Sequence, residues 1–136
     1  MKRTFISYLS LLLICLFATC SDDIPKTLKG TSWVYSVSGS EALEMFEYPD
    51  DGETSITYTV TIQFLSETEV KFIDRIKGTI DGESVNEIFE PETGTYTYDE
   101  ENGIVTICFE VCLDATINKN KLIFTEDGET LVFEKK

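Results

Sequence analysis

The chain has 136 residues, of which 42% are hydrophobic and 12% aromatic, which suffices for one domain with a core but not for two. Its 11 basic and 25 acidic residues give a net charge of −14, which disfavours nucleic acid as a partner. It contains no histidine, which excludes the commonest general base, Ser–His and Cys–His nucleophile pairs and histidine-rich metal sites. We therefore expect a protein that is not an enzyme and that uses neither a metal nor a cofactor.

The first 19 residues are typical of a bacterial export signal. Lys2 and Arg3 precede an apolar stretch over residues 5–18, which is too short to span a bilayer comfortably. The stretch ends in Leu-Phe-Ala-Thr-Cys, and the small residues before Cys20 resemble the lipobox of bacterial lipoproteins. The resemblance implies that residues 1–19 are a lipoprotein signal peptide and that Cys20 is lipidated. The alternative is an ordinary secreted protein with a free cysteine near its start.

The residues that follow Cys20 suggest where the protein is held. The run Cys-Ser-Asp-Asp at positions 20–23 resembles the acidic export signal of surface lipoproteins in one phylum of Gram-negative bacteria. It implies an outer-membrane lipoprotein at the cell surface, with the periplasmic face as the alternative, and makes the membrane a partner through the lipid anchor. We interpret residues 20–29 as the lipidated cysteine and a short flexible tether, and residues 30–136 as a single β domain.

Alternation of apolar and polar residues with a period of two recurs along the rest of the chain. It is clearest from Ile56 to Phe64, where threonines and a glutamine separate the apolar residues. Asp-Gly pairs at three places, together with other polar turns, separate the alternating runs. Residues 41–48 form the only plausible short helix and fit a strand equally well. The pattern predicts an all-β fold of about eight to ten antiparallel strands, either an up-and-down barrel or, as second choice, a β-sandwich.

A tryptophan motif favours the barrel. Residues 28–33 read Leu-Lys-Gly-Thr-Ser-Trp, which resembles the Gly-x-Trp opening of lipocalins and lipocalin-like bacterial lipoproteins, with one extra residue before Trp33. The resemblance implies a lipocalin-like barrel in which the tryptophan plugs one end. It also implies, in many members, a pocket without a common ligand. The arginine that caps the end of a lipocalin barrel has no clear counterpart, because Arg75 is the only arginine after residue 19.

Six aromatic residues on the predicted strand faces are candidates for lining a ligand cavity, and the alternative is that they simply fill the core. They are Trp33, Tyr35, Tyr58, Phe72, Tyr96 and Tyr98. An eight-stranded barrel has an interior large enough either for packed side chains or for one small ligand.

The sequence leaves three hypotheses about function open. The first is a protein that binds a small apolar ligand or a glycan in the barrel mouth. The second is a solid barrel that acts as a structural or protein-interaction component of a surface complex, with an unknown partner. The third, and the least favoured, is an enzyme.

Cys108 and Cys112 are separated by three residues. A straight strand would place their Cα atoms about 13 Å apart, too far for a disulfide, whereas a three-residue hairpin loop would place them opposite each other. An oxidising compartment favours pairing, but no glycine or asparagine lies between the cysteines to ease a tight loop. The sequence therefore leaves a disulfide and two structural thiols as alternatives, with a redox or metal role less favoured.

Acidic turns such as Asp50–Glu53 lack the spacing of a calcium loop, so we predict no metal site.

Overall fold

The computed structural model describes residues 24–136. The predicted signal peptide and the predicted lipidation of Cys20 lie outside the described residues. The described part contains nine strands and one short helix. Their bounds are β1 Ser32–Ser38, α1 Ser40–Met45, β2 Ser55–Phe64, β3 Glu69–Ile80, β4 Glu83–Ile88, β5 Glu92–Asp99, β6 Ile104–Cys108, β7 Cys112–Asn118, β8 Lys121–Glu126 and β9 Glu129–Lys135.

Eight of these strands close into an antiparallel barrel, in the order β1-β2-β3-β5-β6-β7-β8-β9 and back to β1. The predicted all-β, lipocalin-like up-and-down architecture is thus confirmed, and the β-sandwich alternative is wrong. The seam between β1 and β9 is short, with only Trp33 opposite Lys135 and Val34 opposite Glu134 in register. Closure leaves no long exposed edge in the barrel itself, which is the physical reason for a meander of this length to curl.

The ninth strand, β4, is an extension of the barrel wall. The long strand β3 pairs with β5 near its start and with β4 near its end, so β4 and β5 lie one after the other along the same edge. Pro91, which cannot donate a main-chain hydrogen bond, lies between them and interrupts the ladder. The β3–β4 hairpin turns at Asp81 and Gly82, whose φ angles of 50° and 78° suit a two-residue hairpin.

One end of the barrel is closed by packed side chains. Trp33 and Leu28 are 0% and 1% exposed there, and Phe64 packs edge-on against Tyr96 with ring centroids 4.7 Å apart. The Trp33 indole donates a hydrogen bond to the Thr31 hydroxyl, so its polar atom is satisfied inside the core. We call this the closed end; it also carries the β2–β3, β5–β6 and β7–β8 turns.

Residues 24–31 belong to the fold and cross the closed end. The Tyr98 hydroxyl donates to the Pro25 carbonyl, the Gly30 amide donates to the Phe64 carbonyl, and the Leu28 side chain lies in the main core. The interpretation of residues 20–29 as a flexible tether is therefore wrong for residues 24–29, and the folded unit begins before residue 30. Sequence reasoning assigned these residues to a tether because Pro25 and two nearby lysines are typical of an exposed segment, and the apolar Leu28 by itself forms no alternating pattern.

The opposite end is half covered. Helix α1 and the loop that follows it lie over β1, β2 and β3, where Ala42 and Leu43 pack with Ile56 in a second buried cluster. The short-helix alternative for residues 41–48 is thus confirmed over Ser40–Met45. No helix among residues 24–136 has the length and apolarity needed to cross a membrane. No helix or loop among residues 24–136 covers the half of this end that lies over β5 to β9, and we call this half the mouth.

Candidate functional site

The mouth opens into a cavity of about 710 Å³, which we call the mouth cavity. Its walls come from β2, β3 and β5 to β9, together with the turn between β6 and β7. Its apolar lining consists of Ile62, Phe72, Ile107, Phe109, Leu113, Phe124, Leu131 and Phe133. The cavity therefore lies inside the barrel, above the core that fills the closed end.

The lining changes in character from the floor of the cavity to its rim. Ile62 and Ile107 are each 3% exposed and Phe133 is 2% exposed, so these residues form a dry floor that continues the main core. Leu113 and Leu131 line the outer part and are 43% and 39% exposed. Leucine side chains left in water at the entrance of an apolar cavity provide surface that a ligand would bury.

A pair of aromatic rings forms one wall, and a glycine makes room for it. Phe109 packs edge-on against Phe72 with ring centroids 6.0 Å apart. Gly94, an inward position of β5, lies directly beneath that ring. A Cβ atom there would come within 2.7 Å of the Phe109 ring and 2.3 Å of the Cys108 carbonyl oxygen. The missing side chain at Gly94 thus lets Phe109 fold into the barrel.

A disulfide holds the turn that carries Phe109. Cys108 and Cys112 are opposite each other in the β6–β7 ladder and form a disulfide with their Cα atoms 4.0 Å apart. The three residues between them make the turn, and the Phe109 amide donates to the Val111 carbonyl. The sequence left a disulfide and two structural thiols as alternatives, and the structure contains the three-residue hairpin turn closed by the disulfide. Since Cys112 also lines the mouth cavity, the bond is part of the wall.

Acidic residues surround the entrance. Within the part of the chain that the structure describes, the lining includes five carboxylates and no lysine or arginine; the carboxylates are Glu92, Asp114, Glu126, Asp127 and Glu129. Glu126 and Glu129 are direct cross-strand partners on either side of the Asp127–Gly128 turn. Asp127 and Gly128 have φ angles of 50° and 85°, as a two-residue hairpin turn requires, so the turn geometry places the two glutamates side by side.

The six aromatic residues predicted to line a cavity do not gather in one place, and only Phe72 lines the mouth cavity. Trp33 and Tyr96 are buried in the core at the closed end, where the Tyr96 hydroxyl donates to the Ser66 carbonyl. The Tyr98 hydroxyl is bound to Pro25 at the same end. Tyr35 and Tyr58 pack beneath α1 in the second cluster. Five of the six are therefore structural in their observed contacts.

Tyr58 makes a polar contact inside the barrel. Its hydroxyl donates to the Asp74 carboxylate at 3.1 Å, and Phe46, which follows α1, covers its ring at a centroid distance of 5.0 Å. Burial, the negative charge of Asp74 and this hydrogen bond together raise the pKa of Tyr58 to about 12. Tyr58 is thus a neutral donor at ordinary pH and satisfies a half-buried carboxylate.

Of the eight apolar residues that line the cavity, sequence reasoning named only Phe72 as a candidate and missed the other seven. Leu113, Phe124 and Leu131 have the inward phase of their strands, so period-two alternation identifies them as inward-facing. Alternation carries no information about position along the barrel axis, and that position decides whether an inward residue meets the core or the cavity. Phe109 lies in a turn, where alternation gives no signal at all.

A groove with a volume of about 890 Å³ also lies on the outer face of β2 and β3. We call it the outer groove. Its lining includes three threonines of β2 and four basic residues but a single acidic one, Glu134. The basic residues are Arg75, Lys77, Lys135 and Lys136. In a chain of net charge −14, this is an unusual concentration of positive charge.

The acidic β5–β6 turn uses the Asp99 carboxylate internally. Asp99 accepts hydrogen bonds from the Glu101 and Asn102 amides and from the Asn102 side chain at 2.7 Å. The bonds from Asn102 hold the pKa of Asp99 below its ordinary value. Within residues 24–136, no three acidic or cysteine side chains come together in a way that could hold a metal ion.

Comparison with known proteins finds no relative. The chain matches no protein-family model, no curated protein and no solved structure.

Proposed function

We propose that the protein is a lipid-anchored extracytoplasmic binding protein that holds a small apolar ligand in its mouth cavity. The observation that supports the proposal best is the cavity itself, whose volume of about 710 Å³ matches the range of roughly 300–1,000 Å³ typical of ligand pockets. Its apolar floor, with the polar side chains confined to the entrance, is also typical of such pockets. An eight-stranded barrel can hold one ligand of this size.

The chemistry of the lining favours an apolar ligand over a glycan. The deep part consists of aliphatic and aromatic side chains, including Ile62, Ile107 and Phe133. A sugar buried there would lose its hydrogen bonds to water without gaining new ones. The polar side chains of the lining, such as Thr125 and Thr130 on the β8–β9 hairpin, lie at the rim. A glycan could be held at the rim, but it would not fill the cavity.

The proposal assigns no catalytic role to the cavity. Nucleophiles and general bases act on a bound molecule at hydrogen-bond distance. The buried floor of the mouth cavity offers only hydrocarbon side chains, and the carboxylates of its lining are exposed at the entrance. A molecule held in this cavity would therefore be bound without being changed.

The anchor is a separate element of the proposal and is supported by sequence alone. The lipobox-like residues before Cys20 and the acidic run after it support a lipoprotein of the outer membrane, held at the cell surface or, as the alternative, at its periplasmic face. Radiolabelled palmitate supplied to expressing cells tests this directly. Label is expected on the wild-type chain and not on the Cys20→Ala variant, and label on both would contradict the proposal.

The ligand proposal is tested with a neutral apolar fluorophore, N-phenylnaphthylamine, and with native mass spectra. The soluble chain from Ser21 onward serves for both, because residues 24–136 contain every described strand and both core clusters. We expect saturable fluorescence enhancement with one fluorophore per chain, and a co-purified mass that is lost on denaturation. A linear, unsaturable response together with a bare native mass would contradict the proposal.

A second candidate function uses the outer groove, and the concentration of basic residues there favours it. An acidic surface of a protein partner would be complementary to Arg75 and Lys77. In that case the barrel would be a component of a surface complex. Chemical crosslinking on cells distinguishes the two functions. Replacing Arg75 and Lys77 by glutamate would abolish a crosslinked complex while leaving fluorophore binding intact.

A further inference from the structure

We infer that the mouth cavity selects amphiphiles with a cationic head, holding the apolar part of the ligand inside and an ammonium or similar group at the rim. This inference rests on the proposed ligand-binding function and deepens it by naming the ligand class. It depends on the position of charge relative to the cavity and not on the overall charge of the chain.

The first argument is the one-sided charge of the lining. Side chains of Glu92, Glu126 and Glu129 have the inward phase of their strands, and Asp127 lies in the turn beside them. Among residues 24–136, no basic residue lines the mouth cavity, whereas four basic residues line the outer groove. A ligand whose tail reaches the dry floor must leave its head among these carboxylates. A cationic head is attracted there, and an anionic head is repelled.

The second argument is a local conflict at the rim. Like charges directly opposite each other on neighbouring strands destabilise a sheet, and Glu126 faces Glu129 in this way. Among the described residues, the one ion pair of the protein joins Lys121 to Glu134 on the outer surface, so no lysine or arginine neutralises the two glutamates. Departures from a local stability rule are expected where function requires them. A bound cation would relieve this repulsion.

The third argument is that the carboxylates and the apolar surface belong to the same entrance. Leu131 lies two residues beyond Glu129 on β9, and Phe124 lies two residues before Glu126 on β8. Inward side chains two residues apart on a strand are neighbours, about 7 Å apart. The separation suits a molecule in which a charged group is directly attached to an apolar chain or ring system.

The test compares three surfactants that share one alkyl tail and differ in head charge: dodecyltrimethylammonium, dodecyl maltoside and dodecyl sulfate. Each is titrated below its micelle concentration against N-phenylnaphthylamine bound to the soluble chain. We expect the cation to displace the fluorophore at concentrations about tenfold lower than the neutral surfactant, and the anion to be the weakest. The preference should shrink as salt is raised, because the rim is exposed.

Two matched double variants show which carboxylates cause the preference for the cationic surfactant. Glu126→Gln with Glu129→Gln is expected to remove most of the preference for the cation while keeping binding of the neutral surfactant. Glu100→Gln with Glu101→Gln makes the same change in net charge at the closed end, and it should leave the preference as in the wild type. Equal effects of the two double variants would overturn the inference, because they would show that only the overall charge matters.

The remaining outcomes separate the inference from the function on which it rests. If all three surfactants displace the fluorophore equally, the cavity binds apolar ligands and the inference about the head group is wrong. If the fluorophore itself does not bind, both the proposed function and the inference fail.

Discussion

The hydroxyl of Tyr98, on β5, donates a hydrogen bond of 2.6 Å to the main-chain carbonyl of Pro25, 73 positions earlier in the chain. Next to it, Ile24 packs against the β5–β6 turn, where a Cβ atom at Gly103 would lie 3.3 Å from the Ile24 side chain. The Thr27 hydroxyl contacts the Glu67 carboxylate in the β2–β3 turn. The N-terminal segment thus ties together two turns at the closed end of the barrel.

We expect Tyr98→Phe to lower the free energy of unfolding by about 1 kcal/mol, because the Pro25 carbonyl loses a partly buried hydrogen bond. Urea denaturation of the soluble chain measures the change. Tyr48→Phe is the control, since the Tyr48 hydroxyl makes no hydrogen bond with the described residues, and it should be neutral. Equal stability of Tyr98→Phe and wild type would mean that the contact with Pro25 contributes nothing to stability.

Filling the mouth cavity should block binding without unfolding the barrel. Leu131→Trp adds an indole at the rim, where the wild-type side chain is 39% exposed, so the added volume has room to enter the cavity. We expect N-phenylnaphthylamine to bind at least about tenfold more weakly. Leu65→Trp, at a position 47% exposed at the closed end, is the matched control and should bind as the wild type does. Similar losses in both variants would place the fluorophore elsewhere.

Removing the disulfide should loosen the wall that carries Phe109. Replacing Cys108 and Cys112 by serine is expected to lower the free energy of unfolding by about 2 kcal/mol, the order expected for a very short closed loop. Weaker fluorophore binding should accompany the loss, because Phe109 and Cys112 both line the cavity. Urea denaturation with and without a reducing agent measures the stability, and fluorophore titration measures the binding. A wild type insensitive to reduction would contradict the prediction.

Gly94→Ala is expected to destabilise the fold by about 1–3 kcal/mol through overpacking. The new methyl group would lie 2.3 Å from the Cys108 carbonyl oxygen, so the β5–β6 ladder itself must shift. The Phe109 ring should move with it, which changes the shape of the mouth cavity. Thermal unfolding and fluorophore binding report the two consequences. Unchanged values for both would show that β5 and β6 separate at no cost.

Stability should fall in alkaline solution, and Tyr58 should account for part of the loss. Its pKa is raised from 10.0 to about 12 in the folded protein, so the folded state holds this proton more tightly than the unfolded chain does. The stabilisation is fully present below pH 10 and is lost as the pH rises through about 12. Tyr58→Phe should flatten this part of the stability curve measured by urea denaturation. Curves of equal slope would contradict the assignment, and tyrosinate absorbance gives an independent check.

The fold class could be predicted because the strands follow a simple rule. From Ile56 to Phe64 every second residue is apolar and faces inward, and β2 spans this run. Two of the three Asp-Gly pairs, at Asp81 and Asp127, form two-residue hairpins; the third, at Asp51, lies in the loop after α1, where its carboxylate accepts the Glu53 amide. The Asp-Gly pairs therefore predicted two hairpins correctly, whereas the pair at Asp51 lies in a loop.

The candidate site could not be predicted, because it depends on register and on the cover of one end. Trp33 and Phe72 both face inward, yet the first is sealed in the core and the second lines the mouth cavity. The difference arises where β3 changes partner from β5 to β4 and where α1 covers only part of the open end. These are relationships between distant segments, on which the alternation within one strand carries no information.

The N-terminal segment also decides which way the barrel would point from a membrane. With the proposed anchor at Cys20, only four residue steps, or about 14 Å of fully extended chain, separate the lipid from Ile24 at the closed end. The closed end would then face the bilayer, and the mouth would lie at the far side of the barrel, open to the surrounding medium. A ligand would reach such a protein from outside the membrane that carries it, and molecules extracted from the supporting leaflet would have to travel round the barrel wall to enter.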